Sequence, residues 1–158
     1  MMVTSSASRS FSPDMGRPVR ILLVEDSPSD VAMTIEALRE GRIANEMHVV
    51  DDGEVAMDFL HREGEFADAP RPDLIILDLN LPRKDGREVL EEIKNDEDLK
   101  AIPVVVLTTS SAEADILRSY KLHANSYVTK PVGFEPFLAA VHAIEEFWLA
   151  LVRLPPGR

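Results

Sequence analysis

Three acidic side chains, a hydroxyl and a lysine share one placement in this sequence. Glu25-Asp26, Asp78, Thr108 and Thr129-Lys130-Pro131 each stand at the end of a short apolar run. If those runs are neighbouring strands, their ends bring these groups to one edge. Converging carboxylates repel each other, and a divalent cation relieves the repulsion. The donors are hard oxygens with no His or Cys in the pattern, which favours Mg2+ over zinc. Glu25 and Asp26 fit as anchors, one of them through water. Asp78 would ligate the ion and stay free to attack, and the Asn80 backbone carbonyl could add a ligand. A carboxylate can act as a nucleophile and form an aspartyl-phosphate. Phosphoryl transfer depends mainly on positioning and charge neutralisation. Lys130 would pair with one phosphoryl oxygen and the Thr108 hydroxyl would hydrogen-bond another. Singly, each residue has an ordinary reading as a helix cap, a strand former or a solvated charge. The signal lies in their shared position.

The elements that must hold them are five apolar runs: Arg20 to Glu25, Glu46 to Val50, Leu74 to Asp78, Val104 to Thr108 and Ser126 to Thr129. The first, third and fourth lack polar alternation, as strands buried on both faces of a parallel sheet do. Helical signals lie between the runs. Ser27-Pro28 reads as an N-cap and first-turn proline, with Val31, Ile35 and Leu38 on one face and Gly41 as the stop. Ala56, Phe59 and Leu60 form a second stripe, and Val89, Leu90 and Ile93 a third. Ser110 and Glu113 are spaced as a capping box before Ile116, Leu117 and Tyr120. The last helix is expected from about Glu135 to Leu151. Five alternations with right-handed crossovers give a doubly wound α/β fold, a (βα)5 unit around a five-stranded parallel sheet. Ligands in such folds bind outside the carboxyl ends of the strands. The connection Arg62 to Asp73 is long, charged and proline-containing, and is expected as a surface loop.

The chain has 158 residues, 45% of them apolar, no cysteine and a net charge of −11. That size suits one domain, here residues 18–151 between an N-terminal tail, 1–17, expected to be disordered, and a short C-terminal tail, 152–158. Without cysteine there is no disulfide, thiolate metal site or cysteine nucleophile. The acidic balance and the lack of a basic cluster argue against nucleic acid as a partner. No run approaches the roughly 18 apolar residues of a membrane span, and the N-terminus has no signal-peptide core. A cytoplasmic protein is expected.

The segments LLVEDSPSD, PDLIILDLNLPRKDG, VVVLTTS and YVTKP resemble the signatures of bacterial response-regulator receiver domains, in the same order and over about residues 18 to 150. The fold implied is flavodoxin-like. The long loop before the third run, the LNLPRKDG wording and the paired threonines are similar to small stand-alone regulators associated with bacterial phytochrome kinases. The resemblance implies that a sensor histidine kinase, at subfamily level a bacteriophytochrome, donates a phosphoryl group to Asp78. It makes Glu25 and Asp26 the acidic pair, Thr108 the switch hydroxyl, Lys130 the active-site lysine and Tyr127 the switch aromatic, and it implies a cis Lys130-Pro131 bond. Glu25 departs mildly from the commoner Asp. The signalling surface implied comprises the helix after Ser110, the run Ser126 to Thr129 and the last helix. On that last helix Val141, Ile144 and Trp148 can face the sheet. Phe147, Leu151 and Leu154 are left as a surplus apolar stripe, which points to a homodimer or, about equally, to the C-terminal extension folding back over the same domain.

Two rival functions remain at this point. A haloacid-dehalogenase-type phosphatase also uses a strand-end Asp with Mg2+, but needs a second acid where this chain has Asn80. A degenerate receiver would act unphosphorylated, yet every active-site residue type is present. The expectation is therefore a phosphoacceptor with slow self-dephosphorylation rather than an enzyme.

Overall fold

Alternate side chains of the central strands feed two separate cores. Leu22, Val24, Ile75, Leu77, Val104 and Val106 pack on one side of the sheet. Ile21, Leu23, Leu74, Ile76, Val105 and Leu107 pack on the other. Strands buried on both faces have no solvated side to mark with polar residues, which explains their unbroken apolar character.

The computed structural model describes residues 2–4, 18–42, 44–109, 124 and 126–142. Its strands are β1 (Met2–Thr4), β2 (Val19–Val24), β3 (Asn45–Val50), β4 (Leu74–Asp78), β5 (Val104–Thr108) and β6 (Ser126–Thr129). Its α-helices are α1 (Pro28–Glu40), α2 (Gly53–His61), α3 (Gly86–Lys94) and α4 (Phe134–His142). The sheet order is β1-β3-β2-β4-β5-β6. The five strands from β2 to β6 pair in parallel, as the doubly wound reading requires. Helices α2 and α3 cover the first core, through residues such as Ala56, Phe59, Val89 and Ile93. Helices α1 and α4 cover the second, through Ala37, Leu38, Phe137 and Ala140.

The strand order places β2 between β3 and β4, so the chain turns one way after β2 and the other way after β3. That reversal opens a crevice at the carboxyl ends of β2 and β4. Glu25 follows one of these strands and Asp78 ends the other.

Local signals behave as their chemistry dictates. The Ser27 side chain caps α1 by accepting from the Asp30 N–H, with Pro28 in the first turn and Gly41 at the C-cap. A capping box of Asp85 and Glu88 starts α3. The first strand is Val19–Val24 rather than Arg20 to Glu25, so Glu25 lies just beyond its end.

One segment differs from expectation. Met2–Thr4, assigned on sequence to a disordered tail, pairs antiparallel with β3 as an edge strand, with Met2 opposite His48 and Thr4 opposite Glu46. Three residues are too few to show a pattern amid a Ser-rich segment, and their pairing is set by the open edge of β3. The connection Arg62 to Asp73 carries a 3-10 turn at Gly64–Phe66. Phe66 packs at a tilt against Phe59, with ring centroids 5.4 Å apart, and the Asp73 carboxylate accepts from the Arg20 N–H at 2.8 Å. The helix expected after Ser110, the apolar stripe of Phe147, Leu151 and Leu154, and the C-terminal tail lie outside the described residues.

Candidate functional site

Carboxylate oxygens of Glu25, Asp26 and Asp78 all lie within 4.8 Å of one another. Glu25 and Asp78 are buried and Asp26 is exposed. Lys130 enters from the residue after β6. Its Nζ stands 2.9 Å from Glu25 Oε1, 2.9 Å from Asp30 Oδ2 and 3.2 Å from Asp78 Oδ2. The Lys130 backbone N–H donates to the Thr108 carbonyl at 2.8 Å, so the lysine is registered directly on the end of β5. Its bond to Pro131 is cis, as the resemblance implies. Thr108 is fully buried at the end of β5. Tyr127 is half-buried on β6 against the core that faces α2 and α3.

Burial dominates the electrostatics of Glu25. It pushes the carboxyl up to about 7, against the lowering effects of Lys130 and of the Ser27 N–H, with the Asp78 charge adding to the rise. The Ser27 N–H donates to Glu25 Oε2 at 3.1 Å. Glu25 Oε1 is buried without a hydrogen-bond partner, because Lys130 approaches it off the hydrogen-bond direction. Burial alone would lower the Lys130 ammonium. The carboxylates of Glu25 and Asp30 and the Asp78 charge outweigh that and hold it above the ordinary lysine range. A buried carboxylate oxygen with no aligned hydrogen bond, beside two further carboxylates, is what a small hard cation satisfies. Glu25, Asp26 and Asp78 therefore fit a divalent metal.

The rim of the crevice is held by close backbone approaches. The Asn80 N–H donates to Asp78 Oδ1 at 3.3 Å, which turns the chain immediately after the strand and leaves Asn80 exposed at the edge. A Cβ on Gly86 would stand 2.4 Å from the Asp78 carbonyl oxygen, so only glycine lets α3 start against the end of β4. A Cβ on Gly53 would stand 1.9 Å from the Lys84 carbonyl oxygen, which brings the same loop onto α2. Asp52 caps α2 through the Val55 N–H at 2.8 Å and also pairs with Arg83 of that loop.

The structure brings Glu25, Asp26, Asp78 and Lys130 together at this edge, with Thr108 at the end of the neighbouring β5. Asp30 was missed. It faces Lys130 from the first turn of α1, inside the quoted LLVEDSPSD segment. The only local hint was an acidic residue four positions beyond Asp26. The Asp52–Arg83 pair was also missed, since nothing local links positions 31 apart in sequence.

The profile of the response regulator receiver domain matches residues 21–142. The chain belongs to that family. Response regulator Rcp1 of Synechocystis sp. is 51% identical over 145 residues, which is 92% of this chain and 99% of Rcp1. A solved structure described as the Mn2+-bound form of Rcp1 superposes with a TM-score of 0.69 at 53% identity, over 87% of this chain and 99% of that one. The bacteriophytochrome response regulator RtBRR superposes at 0.79 with 44% identity, over 89% and 86% of the two chains. The phosphorylated cyanobacterial phytochrome response regulator RcpA gives 0.70 at 53% identity, over 87% and 99%. This receiver thus has the flavodoxin-like fold of its family and is similar to phytochrome-associated response regulators. Receiver domains bind a divalent metal, and the acidic group of this one is suited to it. They are signalling proteins rather than enzymes. Among the described residues no helix is long and apolar enough to cross a membrane.

Proposed function

We propose that this receiver stores a signal as a phosphoryl group on Asp78, donated by a sensor histidine kinase of the bacteriophytochrome type. The observation that carries the proposal is the Lys130 ammonium 3.2 Å from Asp78, beside the three grouped carboxylates at the strand ends. An Asp78 carboxylate oxygen attacks the phosphorus of a phosphohistidine. A P–O bond forms as the P–N bond breaks, and its electron pair goes to the imidazole nitrogen. Mg2+ held by Glu25, Asp26, Asp78 and the Asn80 carbonyl would neutralise charge on the phosphoryl oxygens. Lys130 pairs with one of those oxygens and the Thr108 hydroxyl bonds another. Movement of Thr108 lets Tyr127 turn inward and alters the surface around β6, a local charge event that biases a two-state element. Slow hydrolysis of the acyl phosphate resets it. The phosphorylated RcpA and the Mn2+-bound Rcp1, to which this chain is similar, support the reading. The reading includes a cytoplasmic setting with the kinase, and a second copy of the chain docked through the last helix.

Intact-mass analysis tests it. With Mg2+ and a small acyl-phosphate donor, one phosphoryl adduct should form and be absent in Asp78→Asn. No adduct, with no Mg2+-dependent binding of beryllium fluoride, would leave an unphosphorylated interaction module. Rapid multiple turnover of a phosphomonoester would mark a phosphatase.

A further inference from the structure

A lysine ammonium carries three N–H donors on a flexible stem, so its aim must come from its partners. Among the described residues three carboxylates surround Lys130 Nζ, and they differ in kind. Glu25 Oε1 is close at 2.9 Å but has no hydrogen-bond alignment. Asp78 Oδ2, at 3.2 Å, is where chemistry is proposed. Asp30 Oδ2 accepts an aligned hydrogen bond at 2.9 Å. Asp30 is also the one of the three that stands outside the acidic group suited to a metal. Its backbone is fixed at both polar atoms: the N–H donates to Ser27 Oγ at 3.3 Å and the carbonyl accepts from Thr34 Oγ1 at 2.9 Å. It is thus a carboxylate on a rigid helical turn. A cation bound by Glu25, Asp26 and Asp78 would offset their pull on the ammonium and leave that of Asp30 intact.

We infer that Asp30 is a positioning residue, holding one N–H of Lys130 so that another stays aimed at Asp78 and at a phosphoryl group there. The inference rests on the phosphoacceptor reading. It assigns Asp30 no contact with the phosphoryl group itself. Its effect passes through Lys130, as outer partners of a reactive group commonly act.

Calorimetric titration of beryllium fluoride at saturating Mg2+, with Mg2+ alone titrated separately, tests this. Asp30→Ala should weaken beryllium fluoride binding about tenfold, the scale of one charge-assisted hydrogen bond. Asp30→Asn, which keeps an acceptor oxygen, should recover most of it. Affinity for Mg2+ alone should change by less than about twofold, because Asp30 is outside the metal group. In a Lys130→Ala background, Asp30→Ala should cost nothing further. Unchanged or tighter binding by Asp30→Ala overturns the inference, and so does an equal loss in the Lys130→Ala background, which would mark a purely structural role in α1. Failure of the wild-type protein to bind beryllium fluoride overturns the phosphoacceptor reading, and this inference with it.

Discussion

Burial pushes the Glu25 carboxyl from 4.5 up to about 7, so gathering these carboxylates carries an electrostatic cost. A raised carboxyl binds more protons in the folded than in the unfolded state between those two values. By linkage, stability then falls as pH rises from about 4.5 to about 7, and levels off above. Thermal melts of metal-free protein across that range should show this decline in the wild type and a flatter profile in Glu25→Gln. Identical slopes would remove Glu25 as the cause. A bound divalent cation offsets the same cost. At one hundred times its dissociation constant any such ligand stabilises by about 2.7 kcal/mol, and Glu25→Gln should lose most of that gain.

The loop from Leu79 to Asp85 is seated by an element, the N-terminus of α2, through Asp52. Burial tends to raise the Asp52 carboxyl, but the Val55 N–H and the Arg83 guanidinium outweigh it and hold the group below its ordinary range. A depressed carboxyl contributes stability above its unfolded pKa, and that contribution is lost as pH falls through the folded one. Asp52→Ala should cost about 1–2 kcal/mol at neutral pH in denaturant titrations, mostly as the lost helix cap. The gap to the wild type should narrow in acid, by no more than the cost of Asp52→Asn. Asp52→Asn keeps a capping oxygen and should cost less than half as much, because Arg83 is more than half exposed and its pair with Asp52 is screened. If the Asn variant is as costly as the Ala variant, the charge pair outweighs the cap.

At the scale of the whole molecule, a net charge of −11 opposes self-association. The apolar side chains of Phe147, Leu151 and Leu154 would favour it under the proposed docking of a second copy. The two act differently with salt, since screening weakens the repulsion and leaves apolar burial intact. Sedimentation at high micromolar concentration should find a dimer that strengthens as salt is raised, with and without beryllium fluoride. A monomer throughout would exclude the second copy.

The sequence by itself determined β2, β4 and β5, because burial on both faces leaves an apolar run that needs no partner to be recognised, while β3 and β6 followed from the alternation of runs with helical segments. It determined α1, whose cap, first-turn proline and closing glycine act within one turn of the chain. It also named Glu25, Asp26, Asp78, Thr108 and Lys130, since strand ends in a parallel sheet share an edge. Tertiary structure decided what depends on partners far along the chain. The strand order separates Glu25 and Asp78 by a single crevice. The edge of β3 recruits Met2–Thr4, which carry no signal of their own. Asp30 meets Lys130 across 100 positions, and Asp52 meets Arg83 across 31. Periodicity and capping are local properties, readable within a few residues. The partner of a side chain at the sheet edge is set by register and helix placement, and these exist only once the chain has folded.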